Sequence, residues 1–175
     1  MEVVSDTSAL ISLEVGNILD KCLMIVEISI PKIVKTELTD VSKYADIHGK
    51  SASSVLSKIN TGMISVQEVE NDHQVKTILD MHKRIDEGEA ASLVLCWEKN
   101  IKYLVTDDWR AYPHLKNASS DVNIVLSAFL IRALVTTKIL SLQDAKKVIS
   151  KIAESRDWLN SEMYKEVNRL FQSST

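Results

Sequence analysis

The chain has little of what interrupts a polypeptide. Its 175 residues include four glycines and two prolines, so strong breakers are scarce and a helix-rich chain is expected. Cysteine is equally sparse. Cys22 and Cys96 both sit in apolar surroundings without zinc-type spacing, and they read as small core residues of a reducing, intracellular protein. The four histidines, His48, His73, His82 and His114, share no close spacing, which removes a histidine zinc site. There is no excess of positive charge. A formal net charge of −3 argues against a protein that coats nucleic acid with a basic surface, but not against an enzyme that meets nucleic acid through bound cations. Long apolar runs are missing too. The stretches around Cys22 to Ile30 and Ile124 to Leu134 are too short or too interrupted to span a bilayer, and Glu2, Ser5 and Asp6 break any signal-peptide pattern. With no repeat, linker or low-complexity tract, the expectation is one cytoplasmic domain over 1–175 with no membrane partner.

What is present is a strand–helix alternation. "EVVSD" reads as a buried strand ending near Asp6, and "TSALISLE" as a helix that Thr7 or Ser8 is available to cap. "MIVEISI" (24–30) is β-branched and short, hence a strand. Pro31 then stands in the first turn of a helix carrying Val34, Leu38 and Val41 on one stripe. "MISVQEV" (63–69) is a third strand introduced by Gly62. A helix is expected over 75–83, followed by one from about Gly88 whose apolar residues run nearly all round, the mark of a buried helix. "KYLVT" (102–106) and 122–125 complete the strands. From about 127 to 175 the chain is helical, with Ser141 and Asp144 spaced as a capping pair. Trp97 is expected in the core, and Trp109 and Trp158 half exposed. The order argues for a parallel sheet wrapped by helices.

In parallel α/β sheets, sites form beyond the carboxyl ends of the strands. Asp6 ends the first strand and Asp107 and Asp108 end the "KYLVT" strand, so these acids reach the same edge of the sheet. Glu89 lies in the first turn of the buried helix, where the helix dipole favours a carboxylate. Glu37 sits at the margin of an inward stripe. Each acid has an ordinary reading. Asp6 is equally readable as a helix cap, Glu37 as a solvated helix residue, Glu87 and Glu89 as first-turn acids, and Asp107 and Asp108 as caps. Taken together they converge without a matching set of basic residues, and carboxylates so placed call for a divalent cation. All-oxygen ligation suits Mg²⁺ or Mn²⁺. Lys35, Lys102 and Arg110 are the basic residues expected near that edge and the candidates for phosphate contact. Trp109 is a packing residue in preference to a base-stacking one.

These residues carry a family resemblance. "VVSDTSALISL", "IPKIVKTEL" and "DEGEAASLVLCWEKNIKYLVTDD", with the helical end, resemble a PIN-domain protein, in order and at suitable distances. The resemblance points to the toxin-type (VapC-like) members or to a subgroup whose buried helix opens Gly-Glu-Ala. It implies a three-layer α/β/α fold with a short-stranded parallel sheet and extra C-terminal helices packed on it. It implies a Mg²⁺- or Mn²⁺-dependent endoribonuclease, with Asp6, Glu37, Glu89 and Asp108 as the catalytic acids. Asp6, Glu89, Asp107 and Asp108 are the metal ligands it suggests, with Asp108 favoured over Asp107, and Ser8, Lys35 and Arg110 are the substrate contacts. Its partners are RNA, a second copy of the chain and, for toxin members, an antitoxin. The chain departs from the common pattern in having glutamate at the third acidic position and in extending beyond the shortest toxins. The rival reading is a catalytically silent PIN-like domain that binds RNA or protein.

Overall fold

The computed structural model of the chain describes residues 1–172. Five strands, β1 (Glu2–Ser5), β2 (Glu27–Pro31), β3 (Ile64–Gln67), β4 (Tyr103–Val105) and β5 (Asn123–Val125), form one sheet in the order β3-β2-β1-β4-β5. Every pairing is parallel, with Val4 opposite Ser29 on one side and Leu104 on the other. The sheet is therefore the α/β parallel type expected. Because side chains alternate along a strand, each strand feeds two cores. Val3, Ile28, Ile30 and Val105 enter one, while Val4, Leu104 and Ile124 enter the other.

Helices cover both faces. The first core is closed by α1 (Thr7–Val15), α2 (Leu19–Leu23), α3 (Lys32–Val41) and α4 (Ile47–Asn60), joined by α8 (Ser127–Thr136), α9 (Leu142–Ser155) and α10 (Glu162–Leu170). The second is closed by α5 (Asp72–Met81), α6 (Glu87–Lys99) and α7 (Tyr112–Ala118). The central element of that side is α6. Gly88 through Cys96 are buried without a break, since the helix lies across β1, β2 and β4. The helices after residue 127 bury Leu130, Ile131, Leu134, Ile149, Ile152, Val167 and Phe171 in the same core as α1. Cys22 and Cys96 are buried free thiols. Among the described residues, no helix is long and apolar enough to cross a membrane.

Several local expectations need correction. Asp6, rather than Thr7 or Ser8, caps α1. The second strand begins at Glu27, because α2 and its helical C-cap occupy the chain through Met24. Pro31 ends β2 as the N-cap of α3 instead of entering the helix. Two helices, α2 and α4, were not anticipated, and α7 opens at Tyr112 instead of at Trp109 directly after the acids read as its caps. The stripe of α4, Ala52, Val55 and Ile59, is diluted by serines, and α7 is short with proline at its start. The capping pair Ser141 and Asp144 forms as read, the Asp144 N–H donating to Ser141 Oγ. Trp158 is buried instead of half exposed. Trp97 is half-buried, its indole N–H donating to Asp121.

Candidate active site

From β1 the sheet order runs through β2 and β3 in one direction and through β4 and β5 in the other. That reversal leaves a crevice at the carboxyl ends of β1 and β4. The chain leaves β1 straight into Asp6, whose Oδ1 accepts the Ala9 N–H at 2.9 Å and so caps α1. Ser8 Oγ lies 2.9 and 3.0 Å from the two Asp6 carboxylate oxygens and also accepts the Asp107 N–H at 2.8 Å. One hydroxyl thus ties the end of β1 to the end of β4, across 99 positions of sequence. Thr106 Oγ1 accepts the Asp108 N–H at 3.1 Å, which fixes the turn after β4.

The remaining acids come from α3, α6 and the turn after β4. Asp86 and Glu89 form a reciprocal cap at the start of α6. The Asp86 N–H donates to Glu89 Oε2, and the Glu89 N–H donates to Asp86 Oδ1, both at 2.8 Å. Glu37 reaches over from α3 and accepts a hydrogen bond from Thr7 Oγ1. It fits because residue 88 is glycine: a Cβ there would lie 2.3 Å from Glu37 Oε1. Asp108 Oδ1 accepts the Arg110 and Ala111 N–H groups at 2.8 and 3.1 Å, and its Oδ2 pairs with Arg110 Nη2 at 3.0 Å. These groups line one cavity of about 310 Å³, which presents five carboxylates (Asp6, Glu37, Asp86, Glu89 and Asp108), the Thr7 and Ser8 hydroxyls and Arg156.

Asp107 does not line that cavity. Its Oδ1 accepts the buried Ser127 N–H at 2.9 Å, and its Oδ2 is buried with no partner. Asp107 therefore joins β4 to α8, and Asp108 is the acid that faces the crevice. Lys35 is absent from the cavity wall. Lys102 precedes the first residue of β4 and sits at the opposite edge of the sheet. Arg110 is exposed and held by Asp108. The expected lack of basic partners also needs correction, since Arg110 pairs with Asp108 and Arg156 lines the cavity. Arg156 arrives from the end of α9, far along the chain, with no sequence signal to mark it. Asp86 is a site residue the sequence reading misses, although the Asp-x-x-Glu spacing to Glu89 is the capping signal that marks it, and the sequence offers Thr7 only as a cap.

The electrostatics follow from burial. Asp6 is 4% exposed. Desolvation pushes its carboxyl up to about 7, against hydrogen bonds from Thr106, Ala9 and Ser8 that lower it. Glu89 is raised to about 8, chiefly by burial and further by repulsion from Asp86, Asp6 and Asp108. Glu37 is raised by burial and by its acidic neighbours Asp86 and Glu87, although Thr7 opposes this. Burial also raises Asp107, against hydrogen bonding by Ser127 and the charge of Arg156. Asp108 differs. Burial raises it, but hydrogen bonds from Arg110 and the backbone outweigh that and hold it below the ordinary value.

A parallel α/β sheet with buried, mutually repelling acids at its switch point defines a class of carboxylate-site proteins. A family model described as a PIN domain matches residues 2–173, and the chain belongs to that family. PIN domains are generally nucleases and typically bind divalent metals. The chain matches no curated protein. The donors here fit a hard divalent cation: all are oxygens, and Asp6 and Glu89 carry the raised pKa values of acids lacking a cationic partner. Among the described residues, no three such groups already stand in a metal-holding arrangement. Each acid is turned to a protein donor instead: Glu89 to the Asp86 N–H, Glu37 to Thr7 and Asp108 to Arg110.

Proposed function

We propose that the chain is a Mg²⁺- or Mn²⁺-dependent endoribonuclease whose site is the acidic cavity at the carboxyl ends of β1 and β4. The observation that supports it most is the convergence of five carboxylates on one cavity, with Asp6 and Glu89 desolvated enough to be raised to about 7 and about 8. Structural acids are normally solvated or paired, and holding such a set ionised without a cation is costly. Asp6, Glu89 and Asp108 are the residues that would hold the ion. A divalent ion in such a site lowers the pKa of its water and offsets charge on the phosphate being attacked. Glu37, fixed by Thr7, lines the same cavity and would orient the attacking water there. Ser8 holds Asp6 in position and keeps the two strand ends in register. Asp107 has no direct part. RNA as the substrate rests on the family resemblance, as does any toxin role. The apolar stripes of α8 to α10 are buried in this chain's own core, so they supply no argument for a homodimer or an antitoxin.

One observation favours the silent-domain reading. Glu89, Glu37 and Asp108 are already satisfied by protein donors, as they would be in a site that never takes an ion. Cleavage of end-labelled RNA in Mn²⁺, Mg²⁺ or EDTA separates the two readings. The nuclease reading expects metal-dependent cutting that falls by about a hundredfold or more in Asp6→Asn. Metal-independent RNA binding without cutting, unchanged in Asp6→Asn, would support the silent domain.

A further inference from the structure

Beside the acidic cavity lies a second one of opposite character. It measures about 360 Å³ and is lined by Lys83, Arg84, Ile85, Asp86 and Arg110. Asp86 also lines the acidic cavity, so the two share a wall. Arg110 stands at the same boundary, anchored by Asp108 of the acidic cavity at 3.0 Å. The other two cations come from the turn between α5 and α6. Ile85 is buried and its N–H donates to the His82 carbonyl at 3.0 Å, which pins this turn. Lys83 and Arg84 are left exposed at the opening. Among the described residues, Lys83 makes one ion pair, a long, exposed one to Asp80 at 3.7 Å, and Arg84 makes none. Asp86 is engaged as the cap of α6. Three cations thus meet one acid whose carboxylate is already bound to backbone, directly next to a cavity of five acids.

We infer that this basic cavity is a subsite for a backbone phosphate of the nucleic-acid strand, flanking the phosphate that occupies the acidic cavity. The inference rests on the nuclease reading. A strand crossing the Asp86–Arg110 boundary places one phosphate among the acids, where a cation is required, and an adjacent one among Lys83, Arg84 and Arg110, where none is. Such contacts position a strand without reading its bases. The subsite therefore favours substrates longer than a single phosphodiester and contributes no sequence preference.

The test uses fluorescence anisotropy with a labelled uridine decamer in Mg²⁺, in an Asp6→Asn background that prevents turnover. Binding is compared with and without Lys83→Ala/Arg84→Ala. Lys99→Ala/Lys102→Ala removes equal charge at the opposite edge and serves as control. Both pairs are exposed, so unchanged melting temperatures verify folding. Loss of the subsite is expected to weaken decamer binding roughly tenfold and to reduce the slope of log affinity against log salt by about 0.7, the single-strand value for one phosphate contact. The control should change binding less than about twofold, and affinity for the dinucleotide UpU should stay unchanged in both variants. If the parent binds the decamer but Lys83→Ala/Arg84→Ala affects it no more than the control does, the subsite is overturned and the nuclease reading stands. No decamer binding by the parent, and neither binding nor cleavage of the decamer by the wild-type protein in Mg²⁺, would overturn the nuclease reading itself, and the subsite with it.

Discussion

At the scale of single residues, the site is a competition for carboxylate oxygens. Arg110 holds Asp108 in an exposed pair, and on the proposed reading an incoming cation would displace it. Arg110→Ala is therefore expected to tighten Mn²⁺ binding modestly, by no more than about fivefold, as removal of a solvent-screened pair allows; calorimetry reads this directly. Unchanged or weaker binding would mean that Asp108 takes no part in holding the ion. Gly88 is the second test. An added Cβ would strike only the end of the Glu37 side chain, which swings away at little cost. Gly88→Ala should therefore leave stability within about 1 kcal/mol while lowering cleavage on the order of tenfold. Equal activity would remove Glu37 from the mechanism. These residues were unevenly legible in the sequence. Asp6 and Asp108 follow strands and Glu89 opens a helix, so each was placed by the rule that such positions share an edge. Asp107 and Asp108 are neighbours with opposite destinations, and only the Ser127 backbone N–H, twenty positions away, decides which one turns inward.

At the scale of elements, the capping groups serve twice. Asp86 caps α6 and orients Glu89 through the same reciprocal bonds. Asp86→Ala should cost about 0.5–2 kcal/mol in urea unfolding and should also lower activity, because the residue-86 backbone N–H that Glu89 accepts from is no longer held in place by the reciprocal bond. Ser141→Ala, which removes the cap of α9 far from the cavity, should show a similar stability loss with no change in cleavage. If both variants behaved alike, the double duty of Asp86 would be refuted. The elements legible in advance were those with a clean period. The strands, α6 and α9 stood out because β-branched runs, an all-round apolar helix and a spaced Ser–Asp pair are local signals. Helix α4 was missed because its stripe is thinned by Ser53, Ser54 and Ser57, and α2 because its five residues adjoin the run that feeds β2. Arg156 was out of reach for another reason: its place on the cavity depends on how α9 packs against α1, which no local pattern encodes.

At the scale of the whole molecule, the buried acids link stability to pH. The pKa values of Asp6 and Glu89 rise on folding, from 3.8 to about 7 and from 4.5 to about 8. The unfolded chain therefore releases these protons at lower pH than the folded one does. Their contribution to stability is complete below about pH 4 and is lost as pH rises through about 7 and 8. Considering these two groups, the ion-free protein should lose on the order of a few kcal/mol between pH 5 and pH 8, read by urea unfolding in EDTA. Asp6→Asn should flatten the profile, and saturating Mn²⁺ should reverse its slope, since the ion binds the deprotonated folded form. A flat wild-type profile in EDTA would show that the acids are not desolvated as described.

The central claim is that this acidic edge is kept for a divalent cation. Calorimetric titration of Mn²⁺ at pH 7, in two buffers of different ionisation enthalpy, tests it most directly. Binding is predicted to release protons, because Asp6 and Glu89 are partly protonated at that pH, and to weaken by about tenfold or more in Asp6→Asn. Absence of binding, or binding of equal affinity and proton count in Asp6→Asn, would contradict it.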